Sequence, residues 1–290
     1  MRIMRNIASE DKRTIAAALN ETDLASLIHM MKTERGWDFS GYKPASLKRR
    51  VLKVLNAHQA SSLDEYRRML ERDPSEYDKL LSTITIQVSE FFREPEVFTA
   101  LKKLLREAPP STEKLRVWSC GCAYGEEPYS IAIMLSETLG PDVMRRATVF
   151  ATDICRDAIE QARRGVYRME QLHNVDTDTW KRHFRLQGGH NRIGYDIRNH
   201  VKFGVLDIVT NHPIPNVHIL FCRNLFIYFN KALQGSAFAK LDYSLKKGGL
   251  LVMGRAEIVP TAFAGRYERI DGRLGIYRKI AQDRSLPGAG

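Results

Sequence analysis

Apolar residues in the first part of the chain fall at helical spacing. Leu24, Leu27, Ile28 and Met31 stand at i, i+3, i+4 and i+7, which predicts a helix over Asp23 to Met31. A breaker-rich run follows, Gly36-Trp37-Asp38-Phe39-Ser40-Gly41. Pro44 then suits the first position of a second helix, where no N–H donor is needed. The apolar stripe of that helix is Leu47, Val51, Val54 and Leu55. At ~100° per residue, Arg49, Arg50 and Lys53 are expected on the opposite face. Ser62-Leu63-Asp64-Glu65 has capping-box spacing and predicts a third helix. Pro74 ends it or begins a fourth, from Ser75 to about Thr83. Residues 1–88 thus read as an all-helical N-terminal domain and linker.

The pattern changes after Pro109-Pro110. Leu115 to Ser119, Thr148 to Thr152, His218 to Cys222 and Leu250 to Gly254 read as strands. Between them lie helical stretches at Pro128 to Leu139, Asp157 to Arg164 and Ala232 to Leu245, closed by Gly140-Pro141, Gly165 and Gly248-Gly249. Strands alternating with helices predict an α/β domain over 89–290, with a mostly parallel sheet and right-handed crossovers. One segment breaks the rhythm. Ile193, Tyr195 and Ile197, then Val201, Phe203 and Val205, alternate on either side of Arg198-Asn199-His200. They predict a small inserted antiparallel β-subdomain at about 188–205. Asp283 to Gly290 reads as a loose tail.

Composition narrows the class. The 290 residues are 43% hydrophobic and 27% charged, which excludes wholesale disorder. No apolar run approaches the ~20 residues of a membrane helix, and the first residues lack a signal-peptide core. A cytoplasmic protein is expected. The formal charge of +11 suits an anionic partner without choosing one. Cys120, Cys122, Cys155 and Cys222 lie in strand-like text, so buried free thiols are expected and no metal site.

The candidate chemistry lies in the loop after Val117-Trp118-Ser119. Cys120-Gly121-Cys122-Ala123-Tyr124-Gly125-Glu126-Glu127-Pro128 joins a strand to a helix, and Gly121 and Gly125 allow close backbone approach to a ligand. The loop is neither a P-loop nor G-x-G-x-x-G. Two carboxylates at the helix start disfavour a pyrophosphate and favour a cationic or zwitterionic ligand. S-adenosylmethionine is such a ligand. The second strand ends in Asp153, where a carboxylate can accept ribose hydroxyls.

At this point the sequence resembles the chemotaxis-receptor methyltransferases of the CheR type. Four stretches carry the likeness: Ser89-Glu90-Phe91-Phe92-Arg93-Glu94, Trp118 to Ala132, Phe150-Ala151-Thr152-Asp153-Ile154, and Phe221-Cys222-Arg223-Asn224-Leu225-Phe226-Ile227-Tyr228-Phe229. The resemblance implies a helical N-terminal domain, a Rossmann-like methyltransferase domain and a small inserted antiparallel β-subdomain. It implies methyl transfer from S-adenosylmethionine to glutamate side chains in the cytoplasmic helices of chemoreceptors, leaving S-adenosylhomocysteine. By the same resemblance, Gln87, Ser89, Arg93, Gly121, Glu127, Asp153, Asp207, Ile208, Arg223 and Asn224 belong to the cofactor site. Arg93 and Tyr228 stand beside the transferring methyl. Gln87 and Ser89 replace the family's usual Asn and Thr, keeping hydrogen-bonding ability. The segment Gly188 to Val201 is shorter than in members that grip a pentapeptide at the receptor tail, so such tethering is not expected. A monomer is expected.

An ionised carboxylate acceptor needs no strong general base, which agrees with the lack of a Ser-His-Asp or Cys-His set. Arg49, Arg50 and Lys53 become the candidate docking face for glutamate-bearing helices. Two rival readings stay open on sequence. One is a non-catalytic sensor or adaptor that binds S-adenosylmethionine. The other is a nucleic-acid methyltransferase, disfavoured because Cys222-Arg223-Asn224-Leu225 stands where an Asn/Asp-Pro-Pro-aromatic loop is required.

Overall fold

The computed structural model describes residues 19–110 and 114–281. The expected tail lies outside them. The chain divides into two compact units. One holds residues 19–87 with Tyr228–Leu233, the other Val88–Ile227 and the described chain from Gln234 onward.

The first unit is built on four described helices, α1 (Glu21–Arg35), α2 (Pro44–Ala57), α3 (Leu63–Arg72) and α4 (Glu76–Thr85). Asn20 and Asp23 cap the start of α1 reciprocally, and Gly36, at φ +72°, ends it. Ser62 caps α3 through the Glu65 N–H. The second arm of the expected box is absent, because the Glu65 carboxylate accepts from the N–H and hydroxyl of Ser61 instead. Leu27, Met31, Leu47, Val54, Tyr66 and Leu80 are almost fully buried and form the core.

Arg50 does not stand on the expected basic face. It is 4% exposed, whereas Arg49 and Lys53 are exposed. The reason is angular. Arg50 is i+3 from Leu47 and i−4 from Val54, so it borders the apolar stripe that those residues define. Its guanidinium donates to the Ile84 carbonyl and lies 4.3 Å from the centroid of the Tyr228 ring. Burial lowers its pKa. Tyr228–Leu233 is bound into this unit by a Tyr42–Phe229 bridge, with the two rings edge-on at 4.9 Å.

The second unit runs α5 (Pro95–Glu107), β1 (Leu115–Cys120), α6 (Glu126–Met144), β2 (Ala147–Asp153), α7 (Arg156–Arg164), β3 (Val166–Tyr167), α8 (Thr177–His183), β4 (Phe184–Gln187), β5 (His190–Ile193), α9 (Tyr195–Arg198), β6 (Val201–Val205), β7 (Val217–Cys222), α10 (Lys231–Ser244), β8 (Leu245–Met253), β9 (Tyr267–Asp271) and β10 (Ile276–Lys279). Its main sheet has seven strands in the order β6-β2-β1-β7-β8-β10-β9. The first five are mutually parallel, and β10 runs antiparallel to both of its neighbours. Central strands β1, β2 and β7 are buried along most of their length, on both faces of the sheet. Successive strands add first on one side of β1 and then on the other. The loop after β1 is therefore the switch point, where open α/β sheets bind ligands.

The inserted antiparallel sheet exists, with strand order β3-β5-β4; β5 falls within the expected 188–205, but β3 and β4 lie N-terminal to it. Val201–Val205 instead pairs in parallel with β2 as the edge of the main sheet. Tyr195–Arg198 is one helical turn, with Ile197 buried and Tyr195 78% exposed. Alternation fixes which face a residue occupies, not which strand it pairs with. Gly140, at φ +75°, interrupts α6 where a stop was expected, and the helix resumes to Met144. Gly248-Gly249 does not close a helix. It lies within β8, beside an irregularity in the β7 pairing between Val217 and Ile219.

Candidate functional site

Backbone geometry shapes the switch-point loop. Gly121 and Gly125 have φ of +79° and +92°. The N–H groups of Gly121 and Cys122 both donate to the Thr152 carbonyl, drawing the loop over the end of β2. A Cβ at Gly125 would sit 2.8 Å from that of Ala162 and 3.0 Å from the Tyr167 hydroxyl. Ala123 also takes a left-handed conformation, φ +46°, and its N–H donates to Asp153 Oδ2 at 2.9 Å. Asp153 is 7% exposed, and its Oδ1 accepts from the Cys155 N–H. The carboxylate is thus fixed by both flanking loops. Its carbonyl accepts from Leu206 N–H, which sets Asp207 and Ile208 beside it. Asp207 secures its own turn by accepting from Val209 N–H and the Thr210 hydroxyl, and Ile208 is buried.

A second cluster joins three segments. Glu127 accepts from the Ser119 hydroxyl at 2.7 Å and pairs with Arg223 at 3.3 Å. The buried Arg223 guanidinium also donates to Glu94 at 2.7 Å and to the Arg93 carbonyl at 2.9 Å. The structure therefore ties Arg223 to protein groups from the β1 loop and the segment before α5. Arg93 differs. Its acidic neighbours are engaged elsewhere, Glu94 by Arg223 and Arg255, and Glu96 by Arg255. The half-buried Arg93 guanidinium makes no hydrogen bond or ion pair among the described residues. Phe92 and Glu94, on either side of it, have φ of +48° and +58°, and the Phe92 N–H is anchored on the buried Ser130 hydroxyl. Non-glycine residues in this region cost roughly 1–3 kcal/mol each and concentrate at functional sites.

The sequence reading missed Glu257 altogether and took Glu126 as a carboxylate facing the ligand, whereas the structure buries both. Glu257 is 5% exposed and accepts backbone N–H groups from Asn224, Gly254, Phe226 and Ile227, at 2.6 to 3.2 Å. It holds the turn in which Asn224 adopts φ +61°. Burial raises its pKa against the pull of those four donors. Glu126 is 1% exposed. Its Oε1 accepts from Gln171, and its buried Oε2 has no partner among the described residues. Burial pushes it up to about 7, opposed by Gln171 and the nearby Ser89 hydroxyl. A neutral acid fits that geometry, with one oxygen accepting and the other carrying the proton.

The remaining candidates lie as follows. Ser89 is half-buried near Glu126. Gln87 and Tyr228 belong to the helical unit, where the Gln87 amide donates to the Thr85 hydroxyl. All four cysteines are buried free thiols; burial pushes Cys122 and Cys155 up, and a hydrogen bond with Cys120 together with burial pushes Cys222 up, away from reactive thiolates. No group of three or more potential ligands among the described residues could hold a metal, and no described helix is long and apolar enough to cross a membrane.

The site fits S-adenosylmethionine: a rigid carboxylate at the end of β2, a glycine-shaped loop at the switch point, and an uncommitted guanidinium. Comparison with known proteins agrees. Residues 87–275 match the family described as CheR methyltransferase, SAM binding domain, and residues 22–85 match CheR methyltransferase, all-alpha domain. The chain is 31% identical to the Pseudomonas putida protein Cher3 over 89% of its own length and 97% of that protein. It is 32% identical to a chemotaxis protein methyltransferase of Listeria monocytogenes, across 82% of this chain and 90% of the other. It is 30% identical to that of Escherichia coli, across 83% and 85%. The chain belongs to the CheR methyltransferase family, and its α/β unit carries that family's S-adenosylmethionine-binding domain.

Proposed function

We propose that this methyltransferase acts in chemotaxis, esterifying glutamate side chains in the cytoplasmic helices of chemoreceptors. The observation that carries the reading is Arg93, a half-buried cation without a partner among the described residues, in a strained segment anchored beside the cofactor loop. Bound S-adenosylmethionine supplies an electrophilic sulfonium methyl. The chain has to hold the cofactor, keep water out and orient the acceptor. A glutamate acceptor is already ionised near neutral pH, with an ordinary pKa of ~4.3, so no residue has to remove a proton. Positioning then supplies the acceleration, up to ~7–11 kcal/mol for a well-aligned pair. Arg93 holds the carboxylate end of the cofactor, where a planar fork is better suited than an ammonium. Asp153 binds the ribose, with Asp207 and Ile208 beside the adenine.

Tyr228 orients the acceptor. Tyr228→Phe is expected to lower the transfer rate about tenfold or more with cofactor affinity unchanged; an unchanged rate would remove it from the mechanism. Docking falls to Arg49 and Lys53, since Arg50 is committed to Tyr228 and Ile84. Charge reversal at both positions should slow methylation of intact receptor at low salt and spare cofactor binding.

The decisive experiment incubates the protein with radiolabelled S-adenosylmethionine and membranes bearing chemoreceptors. A base-labile label on the receptor is the expected product. Cofactor binding with no transfer to any receptor would favour the sensor reading, and a base-stable label would refute the ester.

A further inference from the structure

At the end of the sheet opposite Arg223 and Asn224, a hollow of about 480 Å³ opens between the start of β7, the start of β8, the end of β10 and the last turn of α5. Its size is that of small-molecule sites, roughly 300–1,000 Å³. One wall is apolar, from Leu104, Leu105, Ile219 and Leu250. The other is basic, from His218, Lys246, Lys247 and Arg278. None of Lys246, Lys247 and Arg278 forms an ion pair with a carboxylate among the described residues. Accumulated positive charge with no carboxylate paired to it among the described residues, against an apolar wall, is unfavourable unless something else supplies the anion.

Two further features sharpen this. The Arg116 N–H donates to Nδ1 of His218 at 3.1 Å. That bond leaves Nδ1 without a proton, so the neutral ring carries its proton on Nε2. Nε2 lies 3.4 Å from the Lys246 ammonium, which has donors alone. Two donors therefore face each other with no acceptor, and the repulsion shows in His218, whose pKa is lowered by burial and by Lys246. An oxyanion beside the pair would accept from both. The second feature is the irregular start of β8. Consecutive residues of a regular strand point to opposite faces, yet Lys246 and Lys247 line the same hollow. Gly248 has φ +82°, and a Cβ at Gly249 would come within 2.9 Å of the His218 carbonyl. The irregularity re-aims both lysines.

We propose that this hollow binds a phosphate monoester bearing an apolar group, its phosphate held by Lys246, Lys247, Arg278 and His218 Nε2–H, and its apolar body against Leu105, Ile219 and Leu250. A phosphate monoester answers the cluster better than a carboxylate. It carries about −1.5 to −2 charge near neutral pH and has three acceptor oxygens to meet the several donors. The ligand can be a free metabolite-sized ester or the headgroup of a phosphatidic lipid, which present the same chemistry.

The test uses the full chain and calorimetric titration with phenyl phosphate, alongside inorganic phosphate and benzyl alcohol. Phenyl phosphate is expected to bind at one site about tenfold more tightly than either fragment. Lys246→Gln with Lys247→Gln should weaken it about tenfold or more and leave S-adenosylhomocysteine binding unchanged. In the wild type, the His218 imidazole followed by NMR should titrate at higher pH in the complex. Phosphatidic acid vesicles, set against phosphatidylcholine vesicles, identify a lipid source if they bind with the same dependence on the two lysines. Equal binding by wild type and double variant would overturn the proposal. So would inorganic phosphate matching phenyl phosphate, or an unmoved His218.

Discussion

Replacing Glu126 by Gln tests whether a neutral acid lies under the cofactor loop. Glu126 is buried, its Oε1 accepts from Gln171, and its pKa is pushed from an ordinary 4.5 up to about 7. The nearest charges and titratable groups all disfavour its ionisation or leave it unassisted. Glu90 is a like charge, Tyr124 is a half-buried phenol and Tyr167 a buried one. The sign follows from proton binding. Between pH 4.5 and 7 the folded chain retains a proton that the unfolded chain has lost, so stability falls as pH rises through that window. Below it both states are protonated and the site contributes no pH dependence. Above it the full cost is present, about 3 kcal/mol at 1.36 kcal/mol per pKa unit. Gln is isosteric and cannot ionise. Its carbonyl can keep the Gln171 bond.

Glu126→Gln should therefore match the wild type near pH 5 and exceed it by roughly 2–3 kcal/mol at pH 8. Urea unfolding at half-unit pH intervals reads this directly. Trp118 and Trp180 lie in the α/β unit and Trp37 in the helical unit, so intrinsic fluorescence in a Trp37→Phe background reports the α/β transition. The wild-type midpoint should drop across the window while the variant's stays flatter, at equal slope. Parallel pH profiles for the two proteins would refute the reasoning and return Glu126 to the ionised state. A variant less stable at every pH would show that Oε2 has a partner the neutral-acid account does not supply.

Three other perturbations separate structural from binding roles. Glu257→Ala removes the acceptor of four backbone N–H groups around Asn224, so S-adenosylhomocysteine affinity by calorimetry should fall about tenfold or more and stability by roughly 2–4 kcal/mol. Arg223→Met leaves Glu94 and Glu127 without their buried partner and should cost roughly 3–5 kcal/mol by urea unfolding, a loss that a merely exposed ion pair could not produce. Gly125→Ala combines a left-handed backbone with a 2.8 Å approach to Ala162 and should lower stability far more than Gly36→Ala, which shares the left-handed backbone but meets nothing within 4 Å and should cost about 1–2 kcal/mol by urea unfolding.

Local chemistry explains what could be read from the sequence. The Gly121 and Gly125 loop, the strand ending in Asp153 and the Pro44 helix start each depend on a few neighbouring residues, and each lies where the pattern put it. Pairing partners are a property of the whole sheet. Val201, Phe203 and Val205 alternate as an inserted strand would, and only the proximity of β2 makes them an edge of the main sheet. The same limit applies to Arg50, where one step around a helix separates a solvated cation from one stacked on Tyr228.

Glu126 and Glu127 carry this furthest. In sequence they are equivalent, two acids in the first turn of a helix whose dipole favours both. About 100° of rotation sends them to different surroundings. Glu127 meets the Ser119 hydroxyl and the Arg223 guanidinium. Glu126 is held by its own backbone N–H, the Gln171 amide and the Ser89 hydroxyl, and these together are too little to offset its desolvation. Neighbouring carboxyls thereby divide into one that ties Ser119 and Arg223 together and one that is buried as a neutral acid at the base of the helix. A cation placed beside Glu126, as in Gln171→Lys, should favour its anion and draw its pKa back toward the ordinary carboxylate range. Carbon-13 NMR of the Glu126 side chain would detect the change, and a Glu126 pKa unmoved by Gln171→Lys would show that burial alone sets it.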